Sequence, residues 1–260
     1  MYAIEVHNVS KDYRLYKESK HIITEALFKK KKHRIHSALK DVSFKVEQGT
    51  TYGVVGRNGS GKSTVLSLIN GTSFVTKGKI STNGKVSLLN VGAGIVGTLT
   101  GLENIYNKCL LSGLTDEEIE KRLDSIIEFS EIEDFIDQPV EKYSSGMKSK
   151  LGFAIAIHLQ PDILIVDEAL SVGDTRFSEK CKNKMNQLIE EGVTVLFVSH
   201  SAGAVRGFCA KSCWINDGEL IAKGNTSNIM NLYESFMRRD ITIAEAKKIV
   251  KEYSHLFYVD

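Results

Sequence analysis

Gly56-Arg57-Asn58-Gly59-Ser60-Gly61-Lys62-Ser63 satisfies the pattern G-x-x-x-x-G-K-[ST] at every fixed position, and this stretch restricts the fold of the chain more than any other. Its glycines permit a tight turn that points successive backbone N–H groups, and the start of the next helix, at phosphate oxygens. Lys62 would bring a charge to the β/γ-phosphates and Ser63 a hydroxyl to Mg²⁺. The pattern needs a strand before it and a helix after it. Thr51-Tyr52-Gly53-Val54-Val55 reads as that strand and Thr64-Val65-Leu66-Ser67-Leu68-Ile69 as that helix, so nucleotide binding is expected.

A chain of 260 residues, 42% of them hydrophobic, can bury a full core as one large domain or two small ones. No run approaches the ~18 to 20 apolar residues that span a bilayer, and Met1-Tyr2-Ala3-Ile4-Glu5 lacks the features of a signal peptide, so a cytosolic chain is expected. Cys109, Cys181, Cys209 and Cys213 form no C-x-x-C pair, which argues against a zinc ribbon or a disulfide framework. The net charge of +2 points to no nucleic-acid partner.

Residues Tyr2 to Val9 alternate as a strand does and lead into Ser10 to Tyr16, where Tyr13 could stack on a purine or pack on the sheet. From Lys17 to His36 seven cations face two glutamates, an excess of five positive charges. Ile22, Ile23, Ala26, Leu27 and Phe28 could give this block one apolar helical side, suited to an anionic membrane surface; a solvated loop is the alternative. Ala38 to Val46 returns to strand-like alternation. Lys77-Gly78 and Asn83-Gly84 predict hairpin turns around short strands within Lys79 to Leu89. Leu102 to Leu111 is helical in pattern, and Thr115-Asp116-Glu117-Glu118 is a capping box that opens a helix through Phe129.

Tyr143-Ser144-Ser145-Gly146-Met147 precedes a helix over Lys148 to Leu159, where Ser144 is either an ordinary N-cap or part of an anion contact. Ile163 to Val166 is an apolar strand that delivers Asp167 and Glu168 at its C-terminal edge, where acids can serve Mg²⁺ and an attacking water. Val193 to Ser199 is a second such strand, ending in His200, which is either a polar strand end or a group that touches a terminal phosphate. Beyond it, Cys213 to Ile221 reads as a hairpin with an Asp-Gly turn. Ser227 to Asp240 and Thr242 to Tyr253 read as helices, the second with a capping box at Thr242 and Glu245.

With the phosphate loop, Tyr143 to Met147, Ile163 to Glu168 and His200 in this order, the chain from about Tyr2 to Gly224 resembles the ATP-binding subunits of ABC transporters. The resemblance implies an α/β fold: a P-loop NTPase core of the ABC ATPase type with an antiparallel β subdomain and a helical subdomain. That domain would cover residues 1–225, with the helical part at about 93–158 and the basic insert at 17–36, followed by a C-terminal helical extension over 226–260. ATP and Mg²⁺ are the implied cofactors. Gly56, Arg57, Asn58, Gly59, Ser60, Gly61, Lys62, Ser63 and Thr64 would hold the phosphates, Ser63 and Asp167 the metal, and Tyr13 the adenine. Glu168 would be the catalytic base, His200 the switch histidine and Asp174 the D-loop acid. Ser144, Ser145, Gly146 and Met147 would be the signature that reaches ATP held by a second copy of the chain.

Two departures mark a subgroup. The usual Leu-Ser-Gly-Gly-Gln signature is here Tyr-Ser-Ser-Gly-Met, and Asn90 stands where most relatives carry the Q-loop glutamine. With Ile165 to Asp174 and the Leu99-Thr100-Gly101 stretch, these features look like exporters of lipid-linked polysaccharides. The basic insert and the short C-terminus look most similar to the teichoic acid export group, with capsular or O-antigen-type export as the alternative. The implied partners are a second copy, a separate transmembrane permease, a lipid-linked anionic polymer as cargo and the cytoplasmic membrane surface. The chain would then act peripherally on the cytoplasmic face. A GTPase or a DNA-repair ATPase is disfavoured, since no Asn-Lys-x-Asp motif and no long heptad arm occurs.

Overall fold

Alternation of apolar and polar residues over the first positions becomes a long strand, β1 (Tyr2–Tyr16), which buries Ala3, Ile4, Val6 and Val9. The chain is seen here in a computed structural model that describes residues 1–16, 18, 25, 33–89, 94–167 and 175–257. The other strands are β2 (His33–Glu47), β3 (Thr51–Val55), β4 (Lys77–Thr82), β5 (Val86–Leu89), β6 (Ile163–Asp167), β7 (Thr194–Ser199), β8 (Lys211–Asn216) and β9 (Glu219–Asn225). The helices with described bounds are α1 (Lys62–Ile69), α2 (Gly101–Leu111), α3 (Asp116–Ser130), α4 (Ser145–His158), α5 (Thr175–Glu190), α6 (Ala202–Phe208), α7 (Thr226–Met237) and α8 (Ile243–Glu252). Contacts separate the chain into two bodies: residues 2–46, 52–82 and 199–260, and residues 1, 47–51 and 83–198.

The first body contains the antiparallel sheet β2-β1-β4. Ile4 lies opposite Thr82 and Val6 opposite Ile80, and the register slips between His7 and Ser10. Asn8 takes a φ of 48° at this bulge, and its N–H donates to Ser43 Oγ at 2.8 Å. β2 begins at His33 rather than at the expected Ala38, so residues 33–36 of the basic insert are strand. The His33 ring lies 5.6 Å from that of Tyr16, and its Nδ1 is 2.7 Å from the Glu25 carboxylate. Apart from Glu18 and Glu25, insert residues 17–32 lie outside the described residues.

In the same body β3 runs parallel to β8, and β8 and β9 form the expected hairpin. Asp217 (φ 48°) and Gly218 (φ 79°) supply the two left-handed positions that a two-residue turn requires. α7 packs on β8 through buried Trp214, whose ring is 5.6 Å from that of Tyr233 and 5.1 Å from that of Phe236. α8 opens with the expected capping box of Thr242 and Glu245, and Lys247 Nζ ties it to Glu219 at 2.6 Å.

The second body is built on parallel strands β5, β6 and β7, with Val86 beside Ile163 and Ile163 beside Thr194. Ile163 to Val166 are fully buried, as expected of a parallel strand covered on both faces. Asn83-Gly84 makes no hairpin: β4 pairs with β1, whereas β5 pairs with β6. The dipeptide is instead a crossover, and Gly84 (φ 121°) is required because a Cβ there would stand 2.4 Å from Asp162 Cβ. The helical layer closes around Ile105, Ile119, Ile126, Leu151 and Ile155 from α2, α3 and α4. Both α2 and α3 open with complete capping boxes, Thr100 with Glu103 and Thr115 with Glu118. The α/β class, the antiparallel sheet and the helical layer agree with the sequence-based expectation.

Ile126→Ala and Thr115→Ala separate packing from capping on the single helix α3. The first empties a fully buried site and should cost about 2–5 kcal/mol, the second about 1 kcal/mol. Urea unfolding followed by circular dichroism should rank them in that order.

Candidate functional site

β3 ends at Val55, and the backbone turns through residues 56–61 before α1 begins at Lys62. Gly59 and Gly61 take φ of 79° and 109°, which side chains rarely adopt. Gly56 is required for a different reason: a Cβ there would stand 2.2 Å from the Ile215 carbonyl oxygen and 2.5 Å from Ser60 Oγ. The Lys62 side chain folds back into the turn, where Nζ donates to the carbonyls of Gly56 at 2.7 Å and Arg57 at 3.1 Å. Ser60 Oγ is buried and has no hydrogen-bond partner among the described residues. The N-cap of α1 is Gly61, which has no side chain to cap its first N–H groups.

This cradle has another wall that sequence reading missed. Gly218, in the turn between β8 and β9, donates its N–H to Ser60 O at 2.9 Å and accepts from Lys40 N–H at 2.8 Å. The Asp-Gly dipeptide revealed the turn, but nothing local revealed what the turn touches. Arg57, on the outer side of the loop, also lines a cavity of about 390 Å³ with Phe236, Met237, Arg239, Ile241, Thr242 and Ile243. A turn whose carbonyls hold one ammonium, and which ends at the N–H groups of a helix N-terminus, is suited to an oxyanion chain such as a polyphosphate.

Tyr13 is half-buried on β1, with Lys11 Nζ 4.9 Å from its ring centroid. His200 follows β7 and is exposed; its carbonyl accepts from Tyr233 Oη at 3.4 Å. Both belong to the body that holds Gly56 to Thr64. Asp167 and Ser144 to Met147 belong to the other body. Asp167 is the last residue of β6, opposite Val198 of β7. Ser144 is exposed and is the N-cap of α4, its Oγ accepting from Met147 N–H at 3.2 Å. Ser145 is exposed, and Gly146 and Met147 continue the first turn. Tyr143 anchors this turn: its hydroxyl donates to Phe135 O at 2.7 Å, and burial pushes its pKa up. Glu168, Asp174 and Asn90 lie outside the described residues.

Among the described residues no group of three or more His, Cys, Asp or Glu side chains could hold a metal ion, and no helix is long and apolar enough to cross a membrane. The oxygens of Ser63, exposed at the start of α1, and of Asp167 are of the hard type that suits Mg²⁺. The four cysteines are free and buried, and burial pushes the thiols of Cys181, Cys209 and Cys213 up to about 12, so they stay protonated and unreactive.

The model of a family described as ABC transporter matches residues 39–171. Three curated relatives share the name teichoic acids export ATP-binding protein TagH. That of Bacillus anthracis is 42% identical over 253 residues, 96% of this chain but 46% of its own length. That of Staphylococcus haemolyticus is 45% identical, covering 91% of this chain and 89% of its own length. That of Listeria innocua is 46% identical, covering 90% and 70%. The chain therefore spans less than half of the first relative and most of the other two. Among solved structures, an ATP binding subunit of an ABC transporter is similar with a TM-score of 0.72 at 22% identity, covering 96% of this chain and 99% of that one. The dimeric ATP-binding cassette MJ0796, in a post-hydrolysis state bound to ADP and Pi, gives 0.70 at 23%, covering 86% and 98%.

Gly56→Ala forces the loop against the Ile215 carbonyl, which belongs to rigid backbone. Calorimetric titration with ADP should show nucleotide affinity reduced by at least about tenfold, roughly 1.4 kcal/mol, with the melting temperature of the variant measured alongside.

Proposed function

The chain belongs to the ABC transporter family, and from that membership we propose that it is the ATP-hydrolysing subunit of an exporter that moves lipid-linked teichoic acid across the cell membrane. The observation that supports the site most directly is the loop closed around Lys62 Nζ, with Ser60 Oγ buried beside it and without a partner among the described residues. The cargo rests on the shared name of relatives 42%, 45% and 46% identical.

In this reading Gly56 to Thr64 hold the phosphates of ATP and Tyr13 stacks on adenine. Ser63 and Asp167 are the residues that would hold Mg²⁺. When bound, the ion offsets charge on the phosphate oxygens. Glu168 accepts a proton from water while the water oxygen bonds to the γ-phosphorus; the bond to the bridging oxygen breaks and its electrons leave with ADP. His200 contacts the γ-phosphate, and Asn90 and Asp174 take the Q-loop and D-loop positions. Ser144 to Met147 reach ATP held by a second copy, so that two chains sandwich two nucleotides. ATP-driven closure of that homodimer moves a separate permease. The catalytic domain is residues 1–225 and the extension 226–260. The assembly sits at the cytoplasmic face of the membrane, where the cationic segment 17–36 meets anionic lipid or cargo head groups.

Lys62→Ala and Glu168→Gln should fail differently. Lys62→Ala loses a charge that faces phosphate throughout, so calorimetry should show weakened ATP binding. Glu168→Gln keeps shape but accepts no proton; it should bind ATP normally, hydrolyse it at least about 100-fold more slowly, and run as a dimer with ATP in size-exclusion chromatography. Normal ATP affinity in the first, or wild-type turnover in the second, refutes the assignments.

The basic segment is checked by vesicle co-sedimentation. Replacing Lys29, Lys30, Lys31, Lys32 and Arg34 by Gln should lower binding to anionic vesicles at 0.1 M salt, where the Debye length is about 10 Å, with little difference left at 1 M, where it is about 3 Å. Basal ATPase activity should be unchanged. Equal binding at low salt removes the membrane contact from the proposal.

A further inference from the structure

Glu131 ends α3 with φ 54° and ψ 38°, the left-handed conformation that glycine adopts without strain and a glutamate does not. Its carboxylate takes one lysine from each of two other helices. Lys150 of α4 donates to Oε2 at 2.7 Å, and Lys180 of α5 to Oε1 at 3.2 Å. Lys180 also donates to the Phe129 carbonyl at 3.1 Å, in the last turn of α3, and its Nζ lies 4.6 Å from the Phe129 ring centroid. Lys150 Nζ lies 4.9 Å from the Phe177 ring centroid.

Near these ion pairs, one phenylalanine from each helix meets the other two. Phe129 is 6.1 Å from Phe153 and 5.7 Å from Phe177, and Phe153 is 6.1 Å from Phe177. α3, α4 and α5 therefore share a node that is apolar on one side and ionic on the other. The two lysines hold the Glu131 carboxyl below its usual range, the Lys150 hydrogen bond first and the Lys180 bond next among the favourable causes. Lys150 is five residues past the start of α4 and Lys180 five past the start of α5, each about 8 Å along its helix. Glu131 thus joins the two helices at equal distances from their N-termini. One of those ends carries Ser144 to Met147, and the other follows Asp174 in the chain.

We propose that Glu131 is a positioning residue for ATP turnover: its carboxylate, bridging Lys150 and Lys180, fixes the N-terminus of α4 relative to the start of α5 and so aims the Ser144 to Met147 turn at the nucleotide held by a second copy. This rests on the reading of Ser144 to Met147 as a signature that completes the partner's site. The strained backbone at Glu131 is the reason to look beyond packing, because a glycine would close α3 without strain.

The test uses the 260-residue chain carrying Glu168→Gln, with and without Glu131→Gly, in sedimentation velocity with ATP and Mg²⁺. Glu131→Gly relieves the left-handed strain while it removes the bridge. It should leave the melting temperature unchanged or raised and single-chain ADP affinity unchanged, yet weaken the ATP-driven dimer about tenfold, or 1.4 kcal/mol. Glu131→Gln, which keeps the side-chain length and the strain, should weaken the dimer to a similar degree. A Glu168→Gln chain that stays monomeric with ATP overturns the functional reading and this inference with it. A dimer that both Glu131 variants leave equally tight overturns the inference alone, as does dimer loss that only follows a fall in melting temperature.

Discussion

An ammonium group held inside a turn of backbone is the constraint on which the site depends. Lys62 is 7% exposed, and its Nζ is hydrogen-bonded to the carbonyls of Gly56 and Arg57. A charge so placed needs strong acceptors, which obliges the loop to close on it. Closure in turn forbids a Cβ at position 56 and demands left-handed backbone at Gly59 and Gly61. It also buries Ser60 Oγ, which has no partner among the described residues. The loop is therefore organised around a positive charge, with the Ser60 hydroxyl beside it, an arrangement that phosphate oxygens would suit.

What was legible in the sequence was whatever is encoded within a few residues. The run Ile163 to Val166 announced a buried parallel strand because covering both faces leaves no place for a polar residue. The capping boxes at Thr115 and Thr242 announced helix starts because both halves of the box lie within four residues. Asn83-Gly84 misled for the opposite reason: the same dipeptide serves a hairpin or a crossover, and only the distant partners β1 and β6 decide between them. α5 is not among the expected helices, although Phe177, Cys181, Met185 and Leu188 recur at helical spacing as a regular buried stripe.

The turn at Ser144 to Met147 has a local role that leaves room for the remote one proposed for it. Ser144 accepts from Met147 N–H, which is ordinary N-capping and by itself explains the residue. A serine hydroxyl also keeps its own proton to donate, so capping fixes the oxygen without exhausting it. Ser144 and Ser145 are both exposed, so that proton remains available to an external acceptor. Sequence alone left capping and anion contact as rivals, and the geometry makes them compatible.

The supports of the phosphate loop come from far along the chain. Gly218 props Ser60, and the next residue, Glu219, is held by Lys247 of α8 at 2.6 Å and by Lys40 of β2 at 3.6 Å. Lys40 in turn donates its N–H to the Gly218 carbonyl. The turn is thus fixed from a strand that precedes the loop and from a helix almost two hundred residues after it. An eight-residue motif specifies which groups the loop carries, but the positions of those groups depend on contacts that no local pattern encodes. The segment after β9 is for this reason part of the framework of the site: α7 holds β8 through Trp214, α8 holds β9 through Glu219, and the turn between those two strands holds the loop.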